Sequence, residues 1–436
     1  MMPGKTDERP PGLFPRSNTS PGMNKEKRDL PLGPYRVLDL SNEKGYFCGK
    51  ILADLGADVI KIEPPGGDSG RNIGPFHHDL PDKEKSLCFL AYNTNKKSIT
   101  LNIETRDGQG IFKRLAKTSD FVIESFGPGA MDKIGLGYAV LKGINPRVIM
   151  VSITPFGQDG PRKDWKASDI VAIAMGGLSH ITGSPDRPPA RVSVDQAHVI
   201  AGAQGAMGAM IAHYYREATG KGQCVDISTQ QSVVLSALTV PQAWDLQKFI
   251  WPREGAYMSR ARKRVRHLWS CQDGYIAWRV FGGGLGVKTR ALVDWMKSKG
   301  QAGELAEVNW QQMDLLTVSP EKFYRWQELF ARFFKTHTKA ELCKEALARG
   351  IVLIAASTPK DLLEDPQLNA RDYWEQIDYP ELGKSILYPG ALYKSSEITW
   401  EFHRAPLIGE HNGKIYEEEL GFTKETLSAL KQRGIV

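Results

Sequence analysis

Two glycine-rich segments and one basic segment contain residue types that bind phosphate groups. The glycine-rich segments, 66–70 and 282–286, lack the GxGxxG spacing of a dinucleotide-binding loop, and the sequence has no P-loop motif. The basic segment, 260–266, holds five arginines or lysines. It could hold the phosphates of a cofactor or lie solvated on the surface. Tight turns would explain the glycines equally well. These patterns argue against a P-loop NTPase and leave phosphate binding open.

The histidines and cysteines do not form the pattern of a metal site. His77 and His78 stand as an isolated pair, the sequence has no HExxH segment, and its five cysteines form no CxxC pair. The sequence also lacks GxSxG, the signature of a serine nucleophile elbow. We therefore predict no metal ligands. The cysteine usage favours a reduced, cytoplasmic compartment without disulfides.

A run of small residues at 201–209 lies inside a helical pattern at 199–216. Glycine in a helix interior costs about 1 kcal/mol relative to alanine, so something must approach this helix closely. The neighbour could be another helix or a sheet. Alternatively, the amides at the start of the helix could face an anion.

Length and composition describe an ordinary globular chain. It has 436 residues, of which 41% are hydrophobic and 25% are charged. No stretch of 18 apolar residues is present, so we predict no membrane span. The formal net charge of +7 suits an anionic partner such as a nucleotide. It is far from the charge of a nucleic-acid-binding tail, and we predict no nucleic-acid partner.

Strand and helix patterns alternate from residue 35 onward and predict an α/β protein with a parallel sheet covered by helices. The predicted strands are 36–40, 58–63, 97–102, 120–125 and 147–153. The predicted helices are 49–55, 106–117, 138–143, 199–216, 228–246, 289–299, 320–335 and 339–348, with a helical finish at 423–433.

A change of composition near residue 247, towards aromatic and basic residues, predicts a second domain. We predict a disordered leader at 1–32, a large domain at 33–246, a linker at 247–264 and a smaller α+β domain at 265–385. The leader is rich in proline and has no apolar core segment, so it is not a signal peptide.

Eight motifs follow one another along the chain. They are RVLDL at 36–40, LADLGADVIKIEPPGGD at 52–68, NKKSITL at 95–101, ESFGPG at 124–129, LGY at 136–138, FGQDGP at 156–161, TGKGQCVDIS at 219–228 and RAPLIGEH at 404–411. Together they resemble the class III CoA-transferases of the CaiB/BaiF type, which include formyl-CoA and crotonobetainyl-CoA transferases and alpha-methylacyl-CoA racemases.

The resemblance implies a fold and a ligand. The fold is a Rossmann-like sheet built from both ends of the chain, so that 386–436 returns to the large domain, with two subunits interlocked as a dimer. The substrates are an acyl-CoA and a small carboxylic acid. Backbone amides and lysines suit the phosphates of CoA, although a lone lysine is often only a solvated charge. The implied CoA-binding residues are Lys44, Gly45, Leu101, Asn102, Ile103, Ser125, Phe126, Gly127, Lys133 and Lys166.

The resemblance also implies a catalytic aspartate just before the small-residue helix. The family's register places His198 at that position, and Asp195 lies three residues upstream. As a nucleophile, Asp195 would attack the donor thioester and pass through an anhydride and an aspartyl-CoA thioester. An N-cap role is the alternative for Asp195. Asp169 fits a structural motif that precedes the site.

Three functions remain open at this point. The first is a CoA-transferase with Asp195 as nucleophile. The second is a non-catalytic subunit of a heteromeric transferase, which would pair with a related chain as a heterodimer instead of a homodimer. The third is an acyl-CoA racemase in which His198 and Asp195 act as an acid–base pair.

Overall fold

The computed structural model describes residues 30–260 and 263–436, which form two compact units. The large unit comprises the described residues up to Gly177 together with Val192–Leu238 and Asp372–Val436, and the small unit comprises Leu178–Arg191 and Thr239–Arg371. The units therefore divide after Leu238 and Arg371, whereas the sequence patterns place the divisions after 246 and 385.

The described chain is packed from its first residues. Leu30 and Leu32 are buried, and the Leu32 amide donates a hydrogen bond to the Leu55 carbonyl (3.0 Å). Residues 30–32 thus belong to the large unit. The rest of the predicted leader, 1–29, lies outside the described residues.

A six-stranded parallel sheet forms the centre of the large unit, with strand order β3-β2-β1-β4-β5-β6. Its strands are β1 (Arg36–Asp39), β2 (Asp58–Glu63), β3 (Lys97–Thr100), β4 (Phe121–Glu124), β5 (Ile149–Thr154) and β6 (Cys224–Ser228). Every residue of β1, β2, β4 and β5 is buried, because helices cover both faces of a parallel sheet. The predicted α/β class is confirmed.

The remaining strands are short and pair antiparallel in three separate groups. They are β7 (Tyr257–Arg260), β8 (Lys263–Arg266), β9 (Leu268–Cys271), β10 (Gly274–Ala277), β11 (Ile354–Ala355), β12 (Trp374–Tyr379) and β13 (Lys384–Pro389). Strand β7 and the first half of β8 lie inside the segment that the sequence patterns predict to be a linker, 247–264.

The helices largely follow the apolar periodicity of the sequence. They are α1 (Tyr46–Asp54), α2 (Leu87–Tyr92), α3 (Arg106–Ala116), α4 (Ala130–Lys133), α5 (Tyr138–Ile144), α6 (Asp169–Met175), α7 (Leu178–Ile181), α8 (Ala197–Thr219), α9 (Thr229–Leu235), α10 (Thr239–Gln247), α11 (Gly286–Ser298), α12 (Pro320–Lys335), α13 (Lys339–Ala348), α14 (Pro359–Leu363), α15 (Pro366–Ala370) and α16 (Lys424–Gln432). The single helix predicted at 228–246 is wrong, because the chain breaks there into α9 and α10.

The small residues of α8 let this helix approach its neighbours closely. A Cβ atom on Gly202 would lie 2.8 Å from the Phe47 Cβ of α1, and one on Gly208 would lie 2.8 Å from the Val225 Cγ1 of β6. Both distances are too short for a side chain. The structure thus favours close packing as the reason for the glycines of α8.

Aromatic side chains fill the core of the small unit. Trp269, Trp310 and Trp326 are at most 1% exposed, and the Trp310 and Trp326 rings meet edge-on with their centroids 5.1 Å apart. The face of α12 that carries Trp326 and Phe330 packs into this cluster. The small unit therefore has a core of its own.

The last segment of the chain completes the large unit. A π-helical segment, Gly413–Glu419, buries Tyr416, whose hydroxyl donates to the Thr100 carbonyl (2.6 Å). Ile435 and Val436 lie in the same core as Leu38 of β1. None of the helices in residues 30–260 and 263–436 has the length and apolar character needed to cross a bilayer.

Candidate active site

The loops that follow β1 and β4 are joined by Asn42 and Ser125. The Ser125 hydroxyl donates to the Asn42 side-chain oxygen (2.9 Å) and accepts the Asn42 amide (3.0 Å). The same Asn42 oxygen accepts the Lys44 amide (3.2 Å). Because β1 and β4 are neighbours, their carboxyl ends meet at one sheet edge, where open α/β sheets bind ligands. This clamp fixes Lys44 at that edge.

A cavity of about 370 Å³ opens beside the clamp. Four lysines line it: Lys44, Lys133, Lys163 and Lys166. None of them forms an ion pair with a residue in the described part of the chain, and Asp164 is the single acidic residue in the lining. The cavity therefore carries a net positive charge and suits a ligand with several phosphates.

Six of the ten residues implied for CoA binding line this cavity. They are Lys44, Ser125, Phe126, Gly127, Lys133 and Lys166. Gly45 lies beneath the loop instead, where a Cβ would come within 2.6 Å of the Ser41 Cβ. Its role in this structure is to let α1 begin directly after the clamp.

Leu101, Asn102 and Ile103 do not line the cavity. They follow β3, which lies two strands away from β1 at the edge of the sheet. Leu101 is 2% exposed and Ile103 packs against the same core. The Asn102 amide donates to the Ile435 carbonyl (2.8 Å). In this structure the three residues anchor the last segment of the chain.

Asp169, Asp195 and His198 form a compact cluster in the large unit. One oxygen or nitrogen atom from each side chain, of the kind that ligates metals, lies within 4.8 Å of the corresponding atoms of the other two. The Asp195 Oδ2 is 3.7 Å from the His198 Nδ1. The Asp195 side chain is 55% exposed, whereas the His198 side chain is 11% exposed. The cluster thus presents one accessible carboxylate above a buried imidazole.

The three residues of the cluster are positioned by the starts of two helices. Asp169 is the first residue of α6, and His198 is the second residue of α8. The His198 amide donates to the Asp169 Oδ1 (3.2 Å), so Asp169 caps α8 from a different helix. Gln196 occupies the N-cap position itself, which contradicts an N-cap role for Asp195.

The absence of a capping bond leaves the Asp195 carboxylate available for chemistry. Among the described residues, no group donates a hydrogen bond to it. The His198 amide is already occupied by Asp169, so it does not serve as an oxyanion donor. Two carboxylates and an imidazole at this spacing are also within reach of one divalent cation.

Burial governs the protonation of the groups around Asp195. Burial lowers the pKa of His198 below its usual range. The carboxylates of Asp169 and Asp195 oppose this shift, whereas the positive charge of Lys44 adds to it. The imidazole is therefore neutral at pH 7. Burial, with Asp195 next, raises the pKa of the Cys88 thiol to about 11. Cys88 is thus not a thiolate nucleophile.

Lys44 connects the cavity with the cluster. Its side chain lines the cavity, and its charge depresses the pKa of His198. Lys44 is therefore within electrostatic range of the cluster. The large unit thus offers a site for a polyphosphate and, separately, an accessible carboxylate.

Sequence patterns did not single out Lys163 and Trp165, which also line the cavity. The Arg162 guanidinium lies 5.0 Å from the Trp165 ring, and Phe156 meets that ring edge-on at 6.2 Å. The basic and aromatic composition of 162–166 was the available signal. A loop segment of this kind has no periodicity that would direct attention to it.

The first glycine-rich segment is structural. The Glu63 carboxylate accepts the Asp68 amide (2.9 Å), the Arg71 Nε (2.6 Å) and the Ser98 hydroxyl (2.6 Å). All four side chains are buried. This network holds the loop at 66–70, so its glycines serve a turn in the large unit.

The other two candidate phosphate segments lie in the small unit. In the segment 282–286, Gly283–Leu285 forms a short 3-10 turn that leads into α11. In the basic segment, Lys263 is buried and donates to the Leu315 and Leu316 carbonyls. Arg262 lies outside the described residues.

The parallel sheet and the order of the sequence motifs agree with one family. The chain belongs to CoA-transferase family III, whose model matches residues 32–412. The curated relatives described below are named CoA-transferases, which use CoA thioesters as substrates. The predicted resemblance is confirmed, and the family supports an enzyme.

Curated relatives match nearly the whole chain. The succinyl-CoA:(R)-benzylsuccinate CoA-transferase subunit BbsE of Thauera aromatica is 33% identical over 92% of this chain and 97% of its own. The formyl-CoA:oxalate CoA-transferase of Streptomyces avermitilis is 33% identical over 92% and 98%. A CaiB/BaiF family protein from Brucella suis has a similar crystal structure, with a TM-score of 0.78 and 28% identity over 89% and 99%.

Proposed function

We propose that this chain transfers CoA between an acyl-CoA donor and a carboxylic acid acceptor, with Asp195 as the nucleophile. The observation that carries the proposal is the lysine-rich cavity, which is lined by six of the residues implied for CoA binding and lies in the same unit as the exposed Asp195 carboxylate. One CoA thioester would have its phosphates in the cavity and its carbonyl near the Asp195 carboxylate.

The four lysines support the phosphate end of this proposal. The 3′-phosphate and pyrophosphate of CoA carry several negative charges, and unpaired ammonium groups stabilise such charges by charge-assisted hydrogen bonds. Lys133 and Lys166 are exposed on the cavity wall, so they can reach a phosphate without breaking an ion pair of their own.

The accessible Asp195 carboxylate supports the chemical end. Its oxygen attacks the thioester carbonyl, the C–S bond breaks, and the CoA thiolate leaves as a mixed anhydride forms. The thiolate then attacks the aspartyl carbonyl and releases the donor acid as a carboxylate. The acceptor carboxylate attacks the resulting aspartyl-CoA thioester, the C–S bond breaks, and a second mixed anhydride forms as the CoA thiolate leaves. The thiolate then attacks the acceptor carbonyl of this anhydride, which gives the acceptor's CoA thioester and frees the Asp195 carboxylate.

A non-catalytic role in a heteromeric transferase is the second candidate. His198, at the second position of α8, occupies the register that the family resemblance implies for the nucleophile. In addition, the Thauera aromatica relative is named as a subunit. In this case a related chain would supply the catalytic carboxylate, and this chain would bind CoA or stabilise its partner.

The exposed face of α8 supports pairing with a second chain in either case. Met207, Ile211, Tyr214 and Tyr215 are each at least 50% exposed, and their spacing places them along one side of the helix. An apolar stripe of this length is typical of an interface between subunits. We infer an obligate dimer, formed with an identical or a related chain.

The test compares the wild type with Asp195→Asn, and Asp159→Asn serves as a control at another exposed aspartate. Incubation with succinyl-CoA should add the mass of CoA to the wild type and to the control, but not to Asp195→Asn. CoA exchange should be lost in Asp195→Asn while CoA binding persists. His198→Asn should retain measurable exchange.

Two outcomes would contradict the assignment of Asp195. One is full exchange by Asp195→Asn. The other is a wild-type chain that is inactive alone and gains activity with a related chain, with or without Asp195; this result would establish the second candidate. A racemase would instead exchange the α-hydrogen of an acyl-CoA with deuterated water and leave CoA in place.

A further inference from the structure

The small unit contains a cavity of about 420 Å³ that the proposed function does not use. A volume of this size is typical of a site for a small organic ligand. Slightly more than half of its wall is apolar, and the apolar lining residues include Met258, Val280, Phe281, Met313 and Phe323. An apolar body such as an aromatic ring with a short side chain would fit this wall.

Two cations stand in the lining without an acidic partner among the described residues. The Lys263 ammonium is buried, and it donates only to the carbonyls of Leu315 (2.6 Å) and Leu316 (3.0 Å). The Arg279 guanidinium lies 4.7 Å from the Phe281 ring and donates no hydrogen bond to a described residue. Arg279 is exposed, so a ligand can reach it from solvent. Lys263 is buried, and a buried cation without a counter-charge is costly, so this wall favours an anion.

The other polar groups of the lining leave this charge balance intact. The Asp314 carboxylate accepts the Leu316 amide (2.9 Å) and thereby closes its own turn. His267 lines the cavity beside Arg279, and burial followed by the charge of Arg279 lowers the pKa of His267. The imidazole is therefore neutral at pH 7. With Lys263 and Arg279 against Asp314, the described residues of the lining carry one net positive charge.

We propose that this cavity binds an organic acid with an apolar body, whose carboxylate pairs with the Arg279 guanidinium. The planar guanidinium can hold a carboxylate with two parallel hydrogen bonds. The neutral His267 ring can donate a third. The apolar body then lies against Phe281 and Met313, away from water. Such an acid has two possible sources, the acceptor acid of the transfer reaction or an effector that is not consumed.

The first experiment measures binding without CoA, so its result does not depend on the proposed transfer reaction. Calorimetry uses 3-phenylpropionate as the probe and 3-phenylpropan-1-ol, which has the same body without the charge, as its comparison. We expect Arg279→Gln to weaken binding of the acid about tenfold or more. Binding of the alcohol should not change. Arg290→Gln is the matched control, because Arg290 is exposed on α11 and pairs with Asp294.

A second variant tests the apolar wall. Met258 is 45% exposed, so Met258→Trp can be accommodated in the folded unit while its ring fills part of the cavity. It should weaken binding of both probes, whereas Arg279→Gln weakens only the acid. Equal affinity of the wild type and Arg279→Gln for the acid would overturn the proposal. So would the absence of saturable binding by the wild type.

The source of the acid follows from steady-state kinetics with 3-phenylpropionate as acceptor. If Arg279→Gln raises KM for the acid and leaves kcat unchanged, the cavity holds the acceptor. If binding is lost while KM is unchanged, the cavity holds an effector. Both outcomes support the site. A chain that does not catalyse transfer at all would contradict the proposed function and leave the binding result standing.

Discussion

The His198 amide donates a hydrogen bond to the Asp169 carboxylate across 29 positions of sequence (3.2 Å). This bond ties the start of α8 to the start of α6. Because Asp195 lies three residues before His198, the bond also limits where its carboxylate can lie. Asp169 is thus a positioning residue in the proposed mechanism.

Removing this cap should reduce both stability and catalysis. Asp169→Ala leaves the His198 amide without its acceptor, which should cost about 1 kcal/mol of unfolding free energy. We expect kcat for CoA exchange to fall while the affinity for CoA is unchanged, since Asp169 does not line the lysine cavity. Asp169→Asn keeps an acceptor oxygen and should restore most of the stability and activity. Loss of CoA affinity in Asp169→Ala would contradict this role.

The cavity lysines should determine the affinity for CoA. Lys133→Ala and Lys166→Ala each remove a charge-assisted contact, worth about 1.5–3 kcal/mol, or roughly ten- to a hundredfold in affinity. Calorimetry with CoA would measure the change, and added salt should reduce the difference from the wild type. Lys117→Ala, at an exposed lysine that follows α3, is the control. Unchanged affinity in both cavity variants would place the phosphates elsewhere.

His213 should make the protein less stable in mild acid. Burial, and next the Arg216 charge, lower the pKa of His213 to about 4; Arg147 acts the same way and Glu217 opposes it. The unfolded chain, with a histidine pKa of about 6.5, therefore binds more protons between pH 6.5 and 4. The free energy of unfolding should fall as the pH falls through this window.

The control for this effect is His213→Gln, which does not titrate but can still accept the Arg216 Nη2 hydrogen bond that now reaches the His213 Nδ1 (2.9 Å). Urea unfolding of the wild type and of the variant at pH 7 and pH 5 measures how steeply the unfolding free energy of each protein depends on pH. The variant should lose less stability than the wild type between these values. Identical slopes would mean that His213 does not cause the acid sensitivity.

Glu124 should have the opposite effect on the pH dependence of stability. Burial raises the pKa of Glu124 to about 7, although its carboxylate accepts the Phe126 amide (2.7 Å). The folded state thus favours the protonated form, and stability should decline as the pH rises from about 4.5 through 7. Glu124→Gln should remove this decline and should be more stable than the wild type at pH 8. Glu104→Gln, at an exposed position, should leave it unchanged.

The apolar stripe on α8 should make the folded chain an obligate dimer. Light scattering after size-exclusion chromatography should give a dimer at micromolar concentration, for the single chain or with a related one. Ile211→Asp places a charge in the stripe and should reduce the yield of folded dimer. Val140→Asp, at an exposed apolar residue on α5, should not. A stable folded monomer would refute this prediction.

The sequence predicted the sheet far better than the site. Strands β1 to β5 were predicted to within two residues of their observed bounds, because each contains β-branched or aliphatic residues and is bounded by turn signals. Helix α6 was missed, because after Asp169 its residues (IVAIAM) are all apolar and so show no amphipathic period. The helix predicted at 228–246 was wrong because propensity does not reveal where tertiary packing breaks a helix.

Two features of the site depend on residues that are distant in sequence. The capping of α8 by Asp169 requires a bond between two helices, which no local pattern predicts. The cavity combines Lys44 with Lys163 through the order of the strands. The family resemblance led to six lining residues, yet it did not reveal that Leu101 would be buried in the core.

The path of the chain through the two units determines the order in which they can fold during synthesis. The ribosome completes Thr239–Arg371 of the small unit before it makes Asp372–Val436 of the large unit. The core around Leu38 contains Ile435 and Tyr416, so it stays open until those residues emerge. A nascent chain stalled once residue 371 has left the ribosomal exit tunnel, and before the last residues emerge, would therefore carry a folded small unit and an unfinished, chaperone-dependent large unit.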